Sequence, residues 1–321
     1  MKRPGFLATL VLCACGGGDG GNPETVLSSV ESAGFSFAII TDIHIGEGYD
    51  SYGGQEDAIT ARARKAVARV NAENVAFVFI LGDLTDSAEP AEFAKARAIF
   101  DGFSVPWYPI IGNHDMWTYT SSAEADAPVG DALFAQTFAG RFEGLVHNVE
   151  TVWNPEKQCW STFRNFEVRH GGYVFLGLDW NTRSHATVGK GANPGGDLHD
   201  FAGGTFPWLQ SRLAALPADA KRVFLLQHQP FRTPAPVPDW IYAFSGAEKD
   251  KLRAALLAAA PAALYWGHFA GHLHREASLD AFDEWPGFAQ VETDACKETA
   301  AVTLVRVKPD GTIEVLRLPP Q

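Results

Sequence analysis

Across 321 residues the chain carries only 4 cysteines and 2 methionines, and its 26 basic residues are outnumbered by 38 acidic ones. The resulting formal charge of -12 repels a polyanionic backbone, so nucleic acid is not the default partner. It does not exclude a small anionic substrate, because a bound cation inverts the local field. No apolar run approaches the roughly 20 residues needed to span a bilayer. The sequence has no His-Glu pair, which excludes a His-Glu-x-x-His zinc protease. It also lacks the Gly-x-Ser-x-Gly of serine hydrolases and the Gly-Lys-Ser/Thr of phosphate-binding loops. What remains is globular: 46% hydrophobic, 12% aromatic and 20% charged residues rule out disorder and fibrous repeats.

The N-terminus points to export. Met1-Lys2-Arg3 is a short basic region, Phe6 to Cys13 is apolar, and a stretch that cannot pack, Gly16 to Asn22, follows. The pattern resembles a bacterial lipoprotein signal, in which a small residue, here Ala14, precedes the Cys that is acylated, here Cys15. A plain secretory signal cut nearby is the alternative. Residues 1–14 are thus expected to be a signal peptide and 15–34 an acylated Cys with a flexible Gly-rich tether. The expected location is extracytoplasmic, lipid-anchored to a bacterial membrane at the periplasm or cell surface. Export permits a disulfide between Cys159 and Cys296, with two separate buried thiols as the other reading.

From Phe35 onward, short apolar strands alternate with amphipathic helices. Strands are expected at Phe35–Thr41, Val75–Leu81, Val105–Ile111, Arg222–Leu226 and Ala262–Trp266. Helices are expected at Glu56–Asn71, Glu89–Phe100, Phe206–Leu216 and Ala247–Ala260. His170-Gly171-Gly172 reads as a hairpin turn, and Ala300 to Leu318 holds at least two strands. Strands separated by single helices imply an α/β domain.

Five strand ends run into residues of metal-ligand type. They are Asp42-Ile43-His44, Gly82-Asp83-x-x-Asp86, Gly112-Asn113-His114-Asp115, His228, and Gly271-His272-Leu273-His274. Sites in open α/β sheets assemble at carboxyl ends of strands, so these loops are expected to converge. The glycines at 82, 112 and 271 allow close backbone approach or positive φ.

Taken in order, the five motifs resemble the calcineurin-like metallophosphoesterase family, from Phe35 to His274 at least. The resemblance implies a four-layered α/β/β/α sandwich of two mixed sheets flanked by helices, filling residues 35–321, and a dinuclear metal centre. One ion would take Asp42, His44, Asp83 and His274, and the other Asp83, Asn113, His228 and His272, with Asp83 as the bridge. Carboxylate, amide and imidazole ligands suit Mn, Fe, Zn or Co without choosing among them. The implied reaction is hydrolysis of phosphomonoesters or phosphodiesters by in-line attack of a metal-bound hydroxide, on a small phosphate-ester substrate. His114 would stand near the leaving oxygen as general acid, with Asp115 as its orienting partner. Asp86 stands where purple acid phosphatases have a ligating Tyr, which argues against a tyrosinate-coloured iron site. The rival reading is a non-catalytic, metal-stabilised surface or binding protein on the same scaffold. Loss of ligands would mark that reading, and every ligand position is filled.

The other polar residues carry weaker expectations. His268 mimics the start of the last motif but reads as a core or supporting residue, and His147, His170, His185 and His199 read as surface. The Gly-rich connection from Trp180 to Gly204 suggests a binding loop, with Arg183 or Lys190 touching substrate. Pro230-Phe231-Arg232 is expected to rim the pocket, and Met116 to Tyr119 either to wall it or to pack.

Overall fold

The computed structural model describes residues 34–47, 55–117, 129–148, 151–184, 193–234 and 236–318. The expected signal, Cys15 and tether lie outside these residues, as do His185, Lys190 and Tyr119. Residues Ala33–Gln321 cluster as one unit. In chain order the elements are β1 (Phe35–Ile40), α1 (Gln55–Ala72), β2 (Val78–Leu81), α2 (Pro90–Phe100), β3 (Trp107–Ile110) and α3 (Gly130–Thr137). Next come β4 (Val146–His147), β5 (Thr151–Asn154), β6 (Cys159–Thr162), β7 (Phe166–His170), β8 (Tyr173–Gly177), α4 (Thr205–Ala214) and β9 (Arg222–Leu226). The chain continues through α5 (Asp239–Tyr242), α6 (Gly246–Ala259), β10 (Tyr265–Ala270), β11 (Ala277–Asp280), β12 (Ala289–Glu292), α7 (Cys296–Thr299), β13 (Val302–Val307) and β14 (Ile313–Leu318).

These strands form two mixed sheets, as the sequence led one to expect. One has the order β14-β13-β1-β2-β3, with β1, β2 and β3 parallel and β13 antiparallel to both its neighbours. The other runs β11-β12-β10-β9-β8-β7-β4, with a parallel centre of β12, β10, β9 and β8 and antiparallel pairs outside it. Strands β5 and β6 make a separate hairpin.

Period-2 alternation decides which core each side chain joins. Phe175, Phe224 and Phe269 point from the second sheet at the first, where Phe37 lies 5.1 Å from Phe175 and 5.9 Å from Phe269 between ring centroids, mostly edge to face. Their neighbours Val174, Leu176, Val223 and Leu225 face the other way, into a second core with Leu209 of α4 and Leu252 and Leu256 of α6. The parallel strands are therefore apolar on both faces, which is why they read as unbroken hydrophobic runs.

Local chemistry explains the turns. His170 pairs with Tyr173 across Gly171 and Gly172, whose φ values of 58° and 86° suit a two-residue hairpin that favours glycine. The strand expected at Ala262–Trp266 is displaced: Ala262–Leu264 is a 3-10 turn after Pro261, and β10 begins at Tyr265. Cys159 on β6 and Cys296 on α7 are both buried and free, so the disulfide reading gives way to two separate thiols.

The inter-sheet aromatic cluster should dominate stability. Phe175→Ala is expected to cost about 3–5 kcal/mol, the range for a buried Phe leaving a cavity. Urea unfolding checks it, with the exposed Trp153→Ala as a surface comparison expected to change little.

Candidate metal centre

The site is built by backbone before it is built by side chains. Beyond β1 and β2 the chain stays zipped: Asp42 N donates to Gly82 O at 3.1 Å, Ile43 N and His44 N both reach Asp83 O, and Ile45 N reaches Leu84 O. Ile43 points into the core while Asp42 and His44 turn the other way. That turn needs unusual backbone. Asp42, His44, Asp83, His272 and His274 all have positive φ, between 50° and 73°, which non-glycine residues rarely adopt. Gly112 allows the third loop to close in, since a Cβ there would sit 2.2 Å from both the backbone nitrogen and a carboxylate oxygen of Asp83.

Two nests of ligand atoms result. In the first, Asp42, His44, Asp83 and His274 converge. His274 Nε2 is 3.3 Å and His44 Nε2 4.0 Å from Asp42 Oδ1, and His44 Nε2 is 3.5 Å from Asp83 Oδ2. In the second, His228 Nε2 lies 3.2 Å from the same Asp83 Oδ2, 3.0 Å from Asn113 Oδ1 and 3.2 Å from His272 Nδ1. All seven expected ligands are therefore brought together, and Asp83 Oδ2 belongs to both nests.

Supporting contacts fix which atoms are offered. His228 Nδ1 donates to the carbonyl of Leu81 at 2.7 Å, which leaves the Nε2 lone pair for the nest. His44 Nδ1 donates to Asp86 Oδ1 at 3.1 Å, with the same consequence. Asp42 Oδ2 accepts from Thr41 Oγ1 and from His272 N, so Oδ1 is the free oxygen. Among the described residues, the buried Asp42 Oδ1 and His44 Nε2 find no hydrogen-bond partner. Orphaned buried polar atoms are costly and rare, and here two face one another across a gap that suits a cation. The residues thus fit a bound metal cation.

Without a cation, the electrostatics put protons on some of the same atoms. Burial disfavours the Asp42 carboxylate, yet the adjacent His274 and the charge of His228 draw its pKa down to about 2. Burial likewise opposes a charged His228, but Asp83 overrides it and lifts His228 to about 9. Burial, then the charge of His228, pushes His272 down to about 3.

One expected partnership is corrected. His114 Nδ1 donates to the backbone oxygen of Asp86 at 2.8 Å and lies 3.5 Å from its carboxylate, so Asp86, not Asp115, orients the ring. Asp115 is fully buried and accepts from the backbone of Gly112, Leu84 and Thr85 and from the Thr85 hydroxyl, pinning the β2 and β3 loops together. Asp86 was visible in the Gly-Asp-x-x-Asp spacing but not its dual service to His44 and His114.

Other expectations also change. Arg183 is buried, bonded to both oxygens of Asp179 and to Thr162 O and stacked on Phe163, so it is a structural brace rather than a substrate contact. His199 is buried too, not on the surface, with Nε2 on Asn181 O. Phe231 fills the second core instead of rimming a pocket, and Met116 and Trp117 pack inside. Tyr242, which sequence reasoning did not single out, lies 5.8 Å from the His272 ring. His268 is fully buried against Phe231, a core residue whose two ring nitrogens find no partner among the described residues.

The sequence matches the calcineurin-like phosphoesterase family over residues 35–276. Among solved structures, a dimetal phosphatase from Danio rerio superposes with a TM-score of 0.51 at 17% identity, covering 89% of this chain and 99% of that one. A Staphylococcus aureus protein described as a 5′-nucleotidase superposes with a TM-score of 0.52 at 13% identity, covering 90% of this chain and 54% of that one. At these identities the likeness is one of fold. No curated protein matches the sequence at a significant level.

The His268 ring yields a stability test. Its unpartnered nitrogens carry a desolvation cost, and burial depresses its pKa from 6.5 to about 3. A depressed folded pKa means stability present above pH 6.5 that is lost as pH falls toward 3. His268→Leu should stabilise the protein by about 1–3 kcal/mol at pH 7, with the advantage widening at pH 5. Denaturant unfolding at both pH values measures this, and a destabilised variant would show that the ring has a partner.

Proposed function

The chain belongs to the calcineurin-like phosphoesterase family, and from that premise we propose that it is an exported, membrane-anchored, dinuclear metal-dependent phosphoesterase acting on small phosphomonoesters or phosphodiesters. The observation that carries the reading is the pair of nests sharing Asp83 Oδ2. Asp42, His44, Asp83 and His274 would hold one ion, and Asp83, Asn113, His228 and His272 the other. The likeness in fold to a protein described as a dimetal phosphatase supports the same number. When bound, the ions would supply a lowered pKa for water and electrostatic stabilisation of both the attacking and leaving oxygens. Mn, Fe, Zn and Co all suit this donor set.

The chain's own residues do the rest. His114 is 28% exposed at its side chain, unlike the deeply buried ligand His44, so it can meet a leaving oxygen. Its Nδ1 proton is committed to Asp86 O, so Nε2 is the atom that transfers a proton. Asp86 keeps its own carboxyl ionised: burial raises its pKa, but hydrogen bonds from His114 and His44 hold it well below the usual range. A negative Asp86 favours the imidazolium that an acid must be before it acts. Anchoring rests on the basic, apolar and Gly-rich N-terminal segments with Cys15 between them.

Three outcomes test this reading. Elemental analysis of chain purified without chelator should approach two ions per chain, and Asp83→Asn should lower occupancy of both positions. His114→Ala should reduce kcat/KM for an alkyl phosphate ester by roughly 10²–10⁴-fold and for a nitrophenyl ester much less, because nitrophenolate leaves without a proton. Equal losses on both esters, with falling metal content, would remove His114 from the acid role. In membrane fractionation, Cys15→Ser should shift the protein out of the lipid phase, and unchanged partitioning would sink the anchor.

A further inference from the structure

The two nests share Asp83 and the loop of His272 and His274, but their other ligands are braced differently. The first is fastened to α7: Cys296 N donates to Thr41 O at 2.9 Å and Lys297 N to Asp42 O at 3.0 Å. The second is tied from behind by a fully buried residue outside every ligand motif, Asn181, in the connection after β8. Its side-chain nitrogen donates to Ile111 O at 2.7 Å, two residues before Asn113. Its side-chain oxygen accepts from Gln229 Nε2 at 2.5 Å, the residue after His228. Asn181 is held in turn by Asp179 Oδ1, which accepts from its backbone nitrogen and its amide at 3.2 Å each. Arg183 and His199 donate to its carbonyl at 2.6 Å and 2.9 Å. Gln227 Nε2 donates to Gln229 O at 2.5 Å and steadies the far arm.

We propose that Asn181 is a positioning residue for the second ion alone, through the strap Ile111–Asn181–Gln229 that sets the spacing of Asn113 and His228. The proposal rests on the dinuclear reading above. The strap is short, buried and made of one amide that donates on one side and accepts on the other. Aspartate would lose the donor and place a second carboxylate against Asp179. Alanine would leave Ile111 O and Gln229 Nε2 unpaired in the interior, and the two loops would relax to find other partners. Asn113 Oδ1 and His228 Nε2, now 3.0 Å apart, would lose their common reference, whereas the α7 contacts of Asp42 would be untouched. Loss of a group that orients a metal ligand typically weakens metal binding about 10–100-fold.

The test strips the full-length chain with chelator and dialyses it against graded Mn²⁺, counting ions per chain by elemental analysis and following thermal unfolding at saturating Mn²⁺. Wild type is expected to bind two. Asn181→Ala should hold one at the Mn²⁺ concentration that gives wild type two, and recover the second at about 10–100-fold more Mn²⁺. Gln229→Leu, which keeps the Ile111 arm, should move the same way and carries the test if Asn181→Ala does not fold. Phe175→Ala separates this from general loosening, because it should lose stability and still bind two. Wild-type affinities in the strap variants, or parallel loss of both ions, would overturn the proposal. A wild type that binds one ion would overturn the dinuclear reading itself.

Discussion

Everything at the centre of this molecule is arranged around one carboxylate. Asp83 is fully buried, and burial raises its pKa, yet the charges of His228, His114 and His44 hold it well below the usual range. Oδ1 accepts from His114 N at 2.8 Å, and Oδ2 faces His44 on one side and His228 on the other. An ionised group so placed is tolerable only if positive charge answers it from several directions. The strand ends supply those directions: β1 brings His44, β3 brings His114, and β9 brings His228.

Holding them there requires backbone that most sequences avoid. Five of the seven expected ligands adopt positive φ, at a cost of order 1–3 kcal/mol for each sparsely populated conformation. The inter-sheet cluster of Phe37, Phe79, Phe175, Phe224 and Phe269 offsets that strain by fixing both sheets rigidly beneath the loops. Asp115 then locks the β2 loop to the β3 loop, and Asn181 locks the β3 loop to the β9 loop. The arrangement of these loops is thus the product of an apolar layer and a few buried polar straps.

Much of this was readable one motif at a time. Each ligand follows an apolar run, and an apolar run that ends on Asp or His is conspicuous because burial and ligation need opposite chemistry. The strands β1, β2, β3 and β9 and helices α1, α2, α4 and α6 were legible from periodicity. Short elements were not: α5 and α7 have four residues each, too few for a period, and β11 and β12, also of four residues each, carry little apolar character. The displaced start of β10 shows that a Pro-initiated turn can consume residues that propensity assigns to a strand.

By itself the sequence determined an α/β chain, the apolar runs of the parallel strands and the order of the Asp, Asn and His motifs, because these depend on residue type and spacing along the chain; the sandwich and the seven expected ligands followed from the resemblance that those motifs carry. Only the tertiary structure decided which polar side chain serves which ligand. Asp86 rather than Asp115 supports His114, Arg183 turns inward to Asp179, and Asn181 joins loops 70 and 48 residues away. The reason is physical. Hydrogen bonds between side chains act over about 3 Å in space and carry no periodicity along the chain, so they exist only once the loops have met.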